Sequence, residues 1–302
     1  MTISDDGSGI ETIGSGICQG SFGEILQGVL PGGRKFLVNL RIKDESRVKV
    51  SLSSCRYAVE KEAEFARAYA VYPKSHKIVR NILGDLGRHD DYSLDIVRDI
   101  PVGKGLSSST ADMVAAVRAL AQALSVAFKP DYVSRAITEI EPNDGLHFGG
   151  TAAYRHTDGE LLFRTDYVPP FRVLGIDFGG IVDTIEFNRR TIVWQESEMA
   201  HYERLLADVV AALEAEDAVA LARIATESTR LWQKANPKPD LERALGLIRE
   251  TGALGLANTH SGSFVGLLYE PSRTDFDALA EKVAAAFAPH ECRWFETVSC
   301  PD

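Results

Sequence analysis

The sequence predicts an α+β protein built in two parts. Two kinds of segment carry this prediction: short stretches that alternate polar and apolar residues, as in "RVKVSLS" at 47–53, and longer stretches with apolar residues at helical spacing. Because the alternating stretches are separated by helical ones that often come in pairs, we expect a sheet covered by helices. Pro169 and Pro170 place the boundary between an N-terminal part, 1–168, and a C-terminal part, 169–302.

The elements of the N-terminal part are predicted from periodicity and from proline and glycine positions. In chain order they are glycine-punctuated strands at 14–42, the strand at 47–53, two helical pieces at 61–87 broken at Pro73, a strand at 92–101, helices at 109–128 and 129–142, and hairpin strands at 152–157 and 160–165. The hairpin is indicated by the Asp158-Gly159 dipeptide at its turn.

The C-terminal part is predicted to contain more helix. In order it has a strand at 171–179, helices at 197–234 interrupted near 214–217, a helix at 240–252, a loop at 257–263, a strand at 264–270, a helix at 275–287 and a strand at 292–299. We find neither an internal repeat nor a low-complexity tract.

Composition excludes several functional classes. The net charge is -10 and the pI is about 5.3, so no broad cationic field exists to bind nucleic acid or an anionic membrane. No apolar run approaches the roughly 20 residues of a membrane-spanning helix, and the acidic, polar start is unlike a secretory signal. Four cysteines without a C-x-x-C pair indicate reduced thiols. We therefore predict a cytoplasmic protein.

The stretch "PVGKGLSSSTAD" at 101–112 joins a strand to the start of a helix. Such a turn gathers free backbone amides and the positive end of the helix dipole, which favours an anion. Gly103 and Gly105 let the backbone approach a phosphate, and Lys104 adds a charge. Ser108 and Ser109 can either cap the helix or ligate Mg²⁺. The alternative interpretation is an ordinary capped helix after a loop.

This stretch resembles P-x-x-x-G-L-G-S-S-A-A, the signature of the GHMP kinases. Ser107 stands in place of a glycine of the signature and Thr110 in place of an alanine. "GSFGEILQG" at 20–28 is similar to the first motif of the family, and "THSGSFVGLL" at 259–268 to its glycine-rich third motif. The three motifs occur in the family's order along almost the whole chain.

The resemblance implies the two-part fold of GHMP kinases, with an N-terminal half like domain 2 of ribosomal protein S5 and a ferredoxin-like C-terminal half. ATP would lie between them with Mg²⁺. Five segments are also similar to the L-threonine kinase branch, which phosphorylates the side-chain hydroxyl of threonine for the aminopropanol arm of cobalamin. The expected partners are a small hydroxy amino acid and ATP, and a homodimer is left open. The segments are "CQGSFGEILQG", "DIPVGKGLSSSTAD", "EIEPNDGLHF", "DFGGIVDTIEFNR" and "HSGSFVGL".

The resemblance assigns residues to roles. The stretch at 101–110 is called the phosphate turn from here on. The nucleotide would contact this turn and the third motif through Pro101, Gly103, Lys104, Gly105, Leu106, Ser107, Ser108, Ser109, Thr110, Ser261, Gly262 and Ser263. The catalytic candidates are Ser108, Glu141 and Asp144, and the metal candidates are Ser109 and Glu141. The substrate candidates are Cys18, Gly23, Glu24, Asp144, His147 and His260.

Several of these assignments have alternatives. Glu139 competes with Glu141 for the metal, and Asp144 could instead form an Asx turn before a glycine. Some members of the family work without a protein base. The residues by themselves favour a core thiol for Cys18 and support of the third-motif turn for His260 over ligand contact.

The acceptor's charges need partners of their own. If the acceptor is an amino acid, Glu24 would pair with its ammonium group. A cation must then hold its carboxylate, and the sequence does not choose among His147, Arg155, Arg189 and Arg190.

Three other functions compete with this hypothesis. A kinase for another hydroxy amino acid or small alcohol would share the same motifs. An inactive nucleotide-binding regulator is disfavoured because Ser108, Ser109, Glu141 and Asp144 are all present. An ATP-dependent decarboxylase would need a basic diphosphate-binding cluster, which we do not find.

Overall fold

Two long antiparallel strands form the base of the fold in a computed structural model of the chain. The structure describes residues 11–53, 69–180, 187 and 189–298. Strand β1 (Glu11–Leu30) pairs with β2 (Arg34–Ser53) along almost its whole length. Gly32 and Gly33, both with positive φ, make the tight turn between them.

The other elements follow in the predicted order, with one added strand, Gly255–Asn258, whose last two residues were predicted as loop. They are α1 (Pro73–Asp85), β3 (Asp91–Arg98), α2 (Ser108–Leu124), α3 (Pro130–Thr138), β4 (Thr151–Arg155), β5 (Glu160–Thr165), β6 (Arg172–Asp177), α4 (Glu196–Glu214), α5 (Ala218–Leu231), α6 (Leu241–Thr251), β7 (Gly255–Asn258), β8 (Phe264–Tyr269), α7 (Phe276–Phe287) and β9 (Glu291–Glu296). Short 3-10 turns occupy Leu146–Phe148 and Trp232–Lys234. Most of the helical piece predicted before Pro73 lies outside the described residues.

The described strands form one sheet that crosses the predicted boundary. Its order is β5-β4-β2-β1-β7-β8-β6-β9, with β3 also paired to β2. The order β7-β8-β6-β9 matches the predicted ferredoxin-like half. The two halves join where Glu24 of β1 faces Asn258 of β7, the one residue pair of that ladder. We call this junction the seam. The boundary at 168 falls between β5 and β6 and stays a prediction.

Helix α2 packs against β1 without intervening side chains. A Cβ on Gly14 would lie 2.0 Å from the carbonyl oxygen of Ala119, and one on Gly16 would lie 2.2 Å from that of Ala115. The strand therefore needs glycine at both places. The helix ends at Leu124, before the predicted Phe128, because Ser125 turns into the left-handed region at φ 55°.

Two hydrophobic cores hold the layers together. The main core combines α2 with β1, β2 and α5, and so draws on both halves of the chain. A second core lies under α6 and α7 against β6 to β8. Within the described ranges, no helix is long and apolar enough to cross a membrane.

Candidate active site

The first motif reaches the third across the seam. Gly23 has φ 58°, and a Cβ there would lie 2.4 Å from the carbonyl oxygen of Asn258 and 2.7 Å from the Cα of Thr259. Glycine is thus required for β1 to touch the start of the third-motif loop. The contribution of Gly23 is therefore steric, and its neighbour Glu24 is held beside that loop.

The phosphate turn has the geometry of an anion site. Ser107 adopts the left-handed conformation at φ 61°, and α2 begins at the next residue. No side-chain cap from Ser107 covers the first turn of the helix. Its hydroxyl instead lies 2.5 Å from that of Ser21, and the Ser21 amide donates to the Leu106 carbonyl at 3.3 Å. The first motif thus holds the turn and leaves the helix dipole available.

The phosphate turn and the third motif lie face to face. A Cβ on Gly262 would lie 1.9 Å from the Lys104 carbonyl oxygen, and one on Gly105 would lie 2.7 Å from the Gly262 Cα. The Lys104 ammonium lies 2.7 Å from Asp177, whose other oxygen accepts from the Ser263 hydroxyl at 2.5 Å. Lys104 therefore ties the two loops together in addition to its predicted role as a positive charge beside phosphate.

Glu141 and Ser109 meet as the resemblance implies for a metal site. The Ser109 hydroxyl donates to Glu141 Oε1 at 2.5 Å, and the Lys74 ammonium lies 2.5 Å from Oε2. Glu141 is buried, whereas its competitor Glu139 is exposed at the end of α3. A hydroxyl and a carboxylate beside a phosphate site fit Mg²⁺, which takes few protein oxygens and shares phosphate oxygens.

Asp144 is positioned by polar neighbours. Thr110 Oγ1 donates to its carboxylate at 3.1 Å, and Asn39 Nδ2 donates to its main-chain carbonyl at 3.0 Å. The Asx turn predicted as an alternative is made by Asn143, whose oxygen accepts from the Gly145 amide at 3.1 Å. Asp144 is therefore not needed for that turn.

Burial raises the pKa of Asp144 to about 6. The negative charge of Glu141 adds to this shift, and hydrogen bonds from Ser107 and Thr110 oppose it. At neutral pH the carboxylate is ionised, with a pKa close to that of an effective proton acceptor.

Glu24 is a buried acid with a free oxygen. It is 2% exposed, and its Oε2 has no hydrogen-bond partner in the part of the chain that the structure describes. Burial, and then the charge of Asp144, raise its pKa well above the usual value, while the His260 backbone amide and Lys238 act in the opposite direction. A cation placed here would favour the carboxylate form.

Sequence reasoning missed Lys238. This residue lies in "NPKPD" at 236–240, is 8% exposed and donates through Nζ to the Gly262 carbonyl. Burial lowers its pKa to about 7, against the charges of Glu24 and Asp177. A lysine between two prolines has no motif to distinguish it from a surface charge, so only the fold reveals its burial.

The four predicted cations fit the carboxylate role poorly. His147 packs on Phe148, and burial together with Arg118 and Arg41 lowers its pKa to about 3, so it is neutral. A neutral ring offers no positive charge to a substrate carboxylate, so the structure gives no support to that role, and substrate contact by His147 stays a prediction. Arg155 pairs with Asp158 and Glu160, and both Arg189 and Arg190 are exposed.

His260 and Cys18 match their alternative interpretations. His260 is neutral because burial lowers its pKa well below the usual value, and its Nδ1 bonds Gln27 Oε1 at 2.8 Å. The Trp232 indole donates to its carbonyl at 2.9 Å, so the ring and backbone are both fixed. Cys18 is fully buried in the main core, which supports a packing role.

A cavity of about 180 Å³ opens beside the phosphate turn. Aromatic and apolar side chains contribute to its lining, together with residues of the start of α2. Its lining consists of Val71, Tyr72, Pro73, Lys74, Ser75, Arg98, Val102, Ser108, Ser109 and Asp112.

Comparison with known proteins agrees with this architecture. The family models "GHMP kinases N terminal domain" and "GHMP kinases C terminal" match residues 72–152 and 209–289. An L-threonine kinase of Citrobacter freundii is 26% identical over 261 residues, covering 86% of this chain and 88% of the relative.

Solved structures show the same fold. Homoserine kinase from Cytophaga hutchinsonii superposes with a TM-score of 0.67 at 15% identity, covering 99% of this chain and 97% of that one. MDDEF in complex with MVAPP, AMPPCP and magnesium gives a TM-score of 0.69 at 14% identity, with 96% and 98% covered. The chain thus belongs to the GHMP kinases and is a phosphotransferase that acts on a hydroxyl group.

Proposed function

We propose that this enzyme transfers the γ-phosphoryl group of ATP to the side-chain hydroxyl of L-threonine, giving ADP and O-phospho-L-threonine. The observation that carries the proposal is the convergence at one place of an uncapped helix start, the Ser109–Glu141 pair, the buried acid Glu24 and the half-buried acid Asp144. Phosphoryl transfer needs just such positioning and charge control, with little covalent help from the protein.

The nucleotide has a complete set of contacts in this proposal. Its phosphates would lie at the start of α2, between Gly105 and the third motif, where backbone amides and the helix dipole favour anions. Its base would occupy the cavity beside Tyr72 and Val102. Ser109 and Glu141 would hold Mg²⁺, which neutralises charge on the phosphates when bound.

Asp144 is the proposed proton acceptor. The threonine oxygen attacks the γ-phosphorus, the bond from that phosphorus to the bridging oxygen of ADP breaks, and the hydroxyl proton passes to the Asp144 carboxylate. Thr110 holds the carboxylate in place from the first turn of α2. A pKa of about 6 leaves it ionised at pH ~7.5 and still basic enough to accept a proton.

The amino acid character of the acceptor is supported by Glu24. Its buried and unpartnered oxygen would accept the substrate ammonium group, which compensates the cost of an isolated buried carboxylate. The named activity of the Citrobacter freundii relative, whose similarity covers most of both chains, supports L-threonine as the acceptor.

A panel of acceptors tests the proposal. With Mg²⁺ and ATP, ADP release should be fastest with L-threonine and slower with L-serine and L-homoserine. Formation of O-phospho-L-threonine is confirmed by mass spectrometry. A preference for another hydroxy amino acid would move the proposal to that substrate, and ATP binding without turnover of any acceptor would indicate a regulator.

A further inference from the structure

Lys238 is a buried cation bonded to the third-motif loop. Its Nζ has a single hydrogen-bond acceptor in the described part of the chain, the Gly262 carbonyl. No carboxylate lies within ion-pair distance of it among those residues. An ammonium group has three hydrogens to donate, so two are left for other partners. A buried charge that is incompletely partnered is costly and therefore suggests a missing ligand.

Lys238 is also electrostatically coupled to Glu24. Each charge favours the ionised form of the other, although the two side chains form no ion pair. The Gly262 carbonyl fixes Nζ to the third-motif loop, and the His260 amide fixes the Glu24 carboxylate to the same loop. A positive and a negative group are thus fixed to the same loop without forming an ion pair with each other.

This arrangement has the charge pattern of a zwitterion receptor. We propose that Lys238 binds the α-carboxylate of the acceptor while Glu24 binds its ammonium group, so that the enzyme selects free amino acids over simple alcohols and amines. The inference rests on the proposed function and deepens it. Lys238 also takes a role that the predicted cations fit poorly, because His147 is neutral and Arg155 is already paired with two acids.

Acceptors that lack either the carboxylate or the ammonium group allow the contacts of Lys238 and Glu24 to be tested separately. In 1-amino-2-propanol the carboxylate is missing and in 3-hydroxybutyrate the ammonium group is missing, whereas both keep a secondary hydroxyl. Lys238→Met should lower kcat/KM for L-threonine by about 10- to 100-fold, mainly through KM, because a charge-assisted hydrogen bond is lost. With 1-amino-2-propanol the same variant should match the unmodified enzyme within about twofold.

Two further variants control for structural damage. Lys234→Met removes an exposed lysine of the same segment, which pairs with Glu198, and should leave both acceptors unaffected. Lys238→Arg keeps the charge and should retain more L-threonine activity than Lys238→Met. An equal loss with L-threonine and 1-amino-2-propanol would overturn the inference and leave Lys238 as a support for the Gly262 loop.

Calorimetry distinguishes failure of this inference from failure of the proposed function. L-threonine should bind the unmodified enzyme more tightly than 1-amino-2-propanol, and Lys238→Met should remove that difference. If L-threonine binds in this manner without being phosphorylated, the proposed reaction fails and the zwitterion receptor stands. If the binding preference is absent, or is unchanged in Lys238→Met, the receptor is refuted whatever the turnover.

Discussion

The phosphate turn and the proposed acceptor site are built in different ways, although both contact the third-motif loop. The turn consists of consecutive residues and acts through its backbone, with glycine contacts that leave no room for a Cβ. The proposed acceptor site is made of side chains from distant segments, Glu24, Asp144 and Lys238, whose pKa values are all shifted by burial. A backbone site tolerates change poorly but is visible in a sequence, whereas a charged residue outside any motif, such as Lys238, becomes notable only after folding.

Disrupting the contact between the two glycine loops should have the largest effect. Gly262→Ala would place a Cβ 1.9 Å from the Lys104 carbonyl oxygen, so the loops must separate. We expect kcat/KM to fall by at least about 100-fold, since catalysis depends on loop placement to within about 1 Å. Steady-state kinetics and thermal melting measure the two consequences.

Gly246→Ala provides the matched control. This glycine lies in α6, where a Cβ would meet no neighbouring atom of the described chain within 4 Å, and alanine favours helix by about 1 kcal/mol. The variant should melt slightly higher and keep full activity. Similar activity in both variants would show that close contact of the loops is unnecessary.

Asp144→Asn should lower kcat by about 10²- to 10⁴-fold, the usual contribution of a positioned base. Measurement of kcat at saturating ATP and L-threonine tests this directly. A fall of only a few-fold would contradict a proton-accepting role for Asp144.

The same substitution should stabilise the fold at neutral pH. The folded-state pKa of Asp144 is raised to about 6, so its contribution to stability is fully present at low pH and is lost as pH rises through 6. Asparagine does not titrate, so at this position it causes no loss of stability as the pH rises. The melting temperature of Asp144→Asn should therefore exceed that of the unmodified enzyme more at pH ~7.5 than at pH ~4, and the opposite trend would contradict the raised pKa.

Glu141→Gln should raise the Mg²⁺ concentration needed for half-maximal activity by about 10-fold, the lower end of what loss of metal-site support costs. Glu139→Gln is the paired control because that exposed glutamate is two residues away and lacks the Ser109 contact. If both variants respond alike to Mg²⁺ titration, Glu141 is not the metal ligand.

The smallest effect should appear in the pH profile of kcat/KM, which reports the free enzyme. For L-threonine the acid limb should follow Asp144, with a pKa of about 6, and the alkaline limb Lys238, with a pKa of about 7. With 1-amino-2-propanol the alkaline limb at Lys238 should disappear. An identical alkaline limb for both acceptors would separate Lys238 from carboxylate binding.

The parts of the site that lie in recognisable motifs were predicted from the sequence. Ser109 and Glu141 meet as the resemblance implied, and the glycine turn precedes α2 as its composition indicated. Helix α2 ends earlier than predicted because Ser125 adopts a left-handed conformation that periodicity does not encode.

Residues whose role depends on burial in the folded chain could not be predicted from the sequence. Lys238 becomes notable only because the Pro-flanked loop folds onto Gly262, and His147 loses its charge only because it is buried with Arg41 and Arg118 nearby. Both outcomes depend on contacts between segments about 25 to about 105 residues apart.

The most direct test is a crystal structure with L-threonine, Mg²⁺ and a non-hydrolysable ATP analogue. We predict L-threonine at the seam, with its ammonium on Glu24, its carboxylate on Lys238 and its hydroxyl about 2.6 to 3.2 Å from Asp144. The γ-phosphate should lie at the start of α2. L-threonine bound away from Glu24 and Asp144, with the nucleotide correctly placed, would contradict this arrangement.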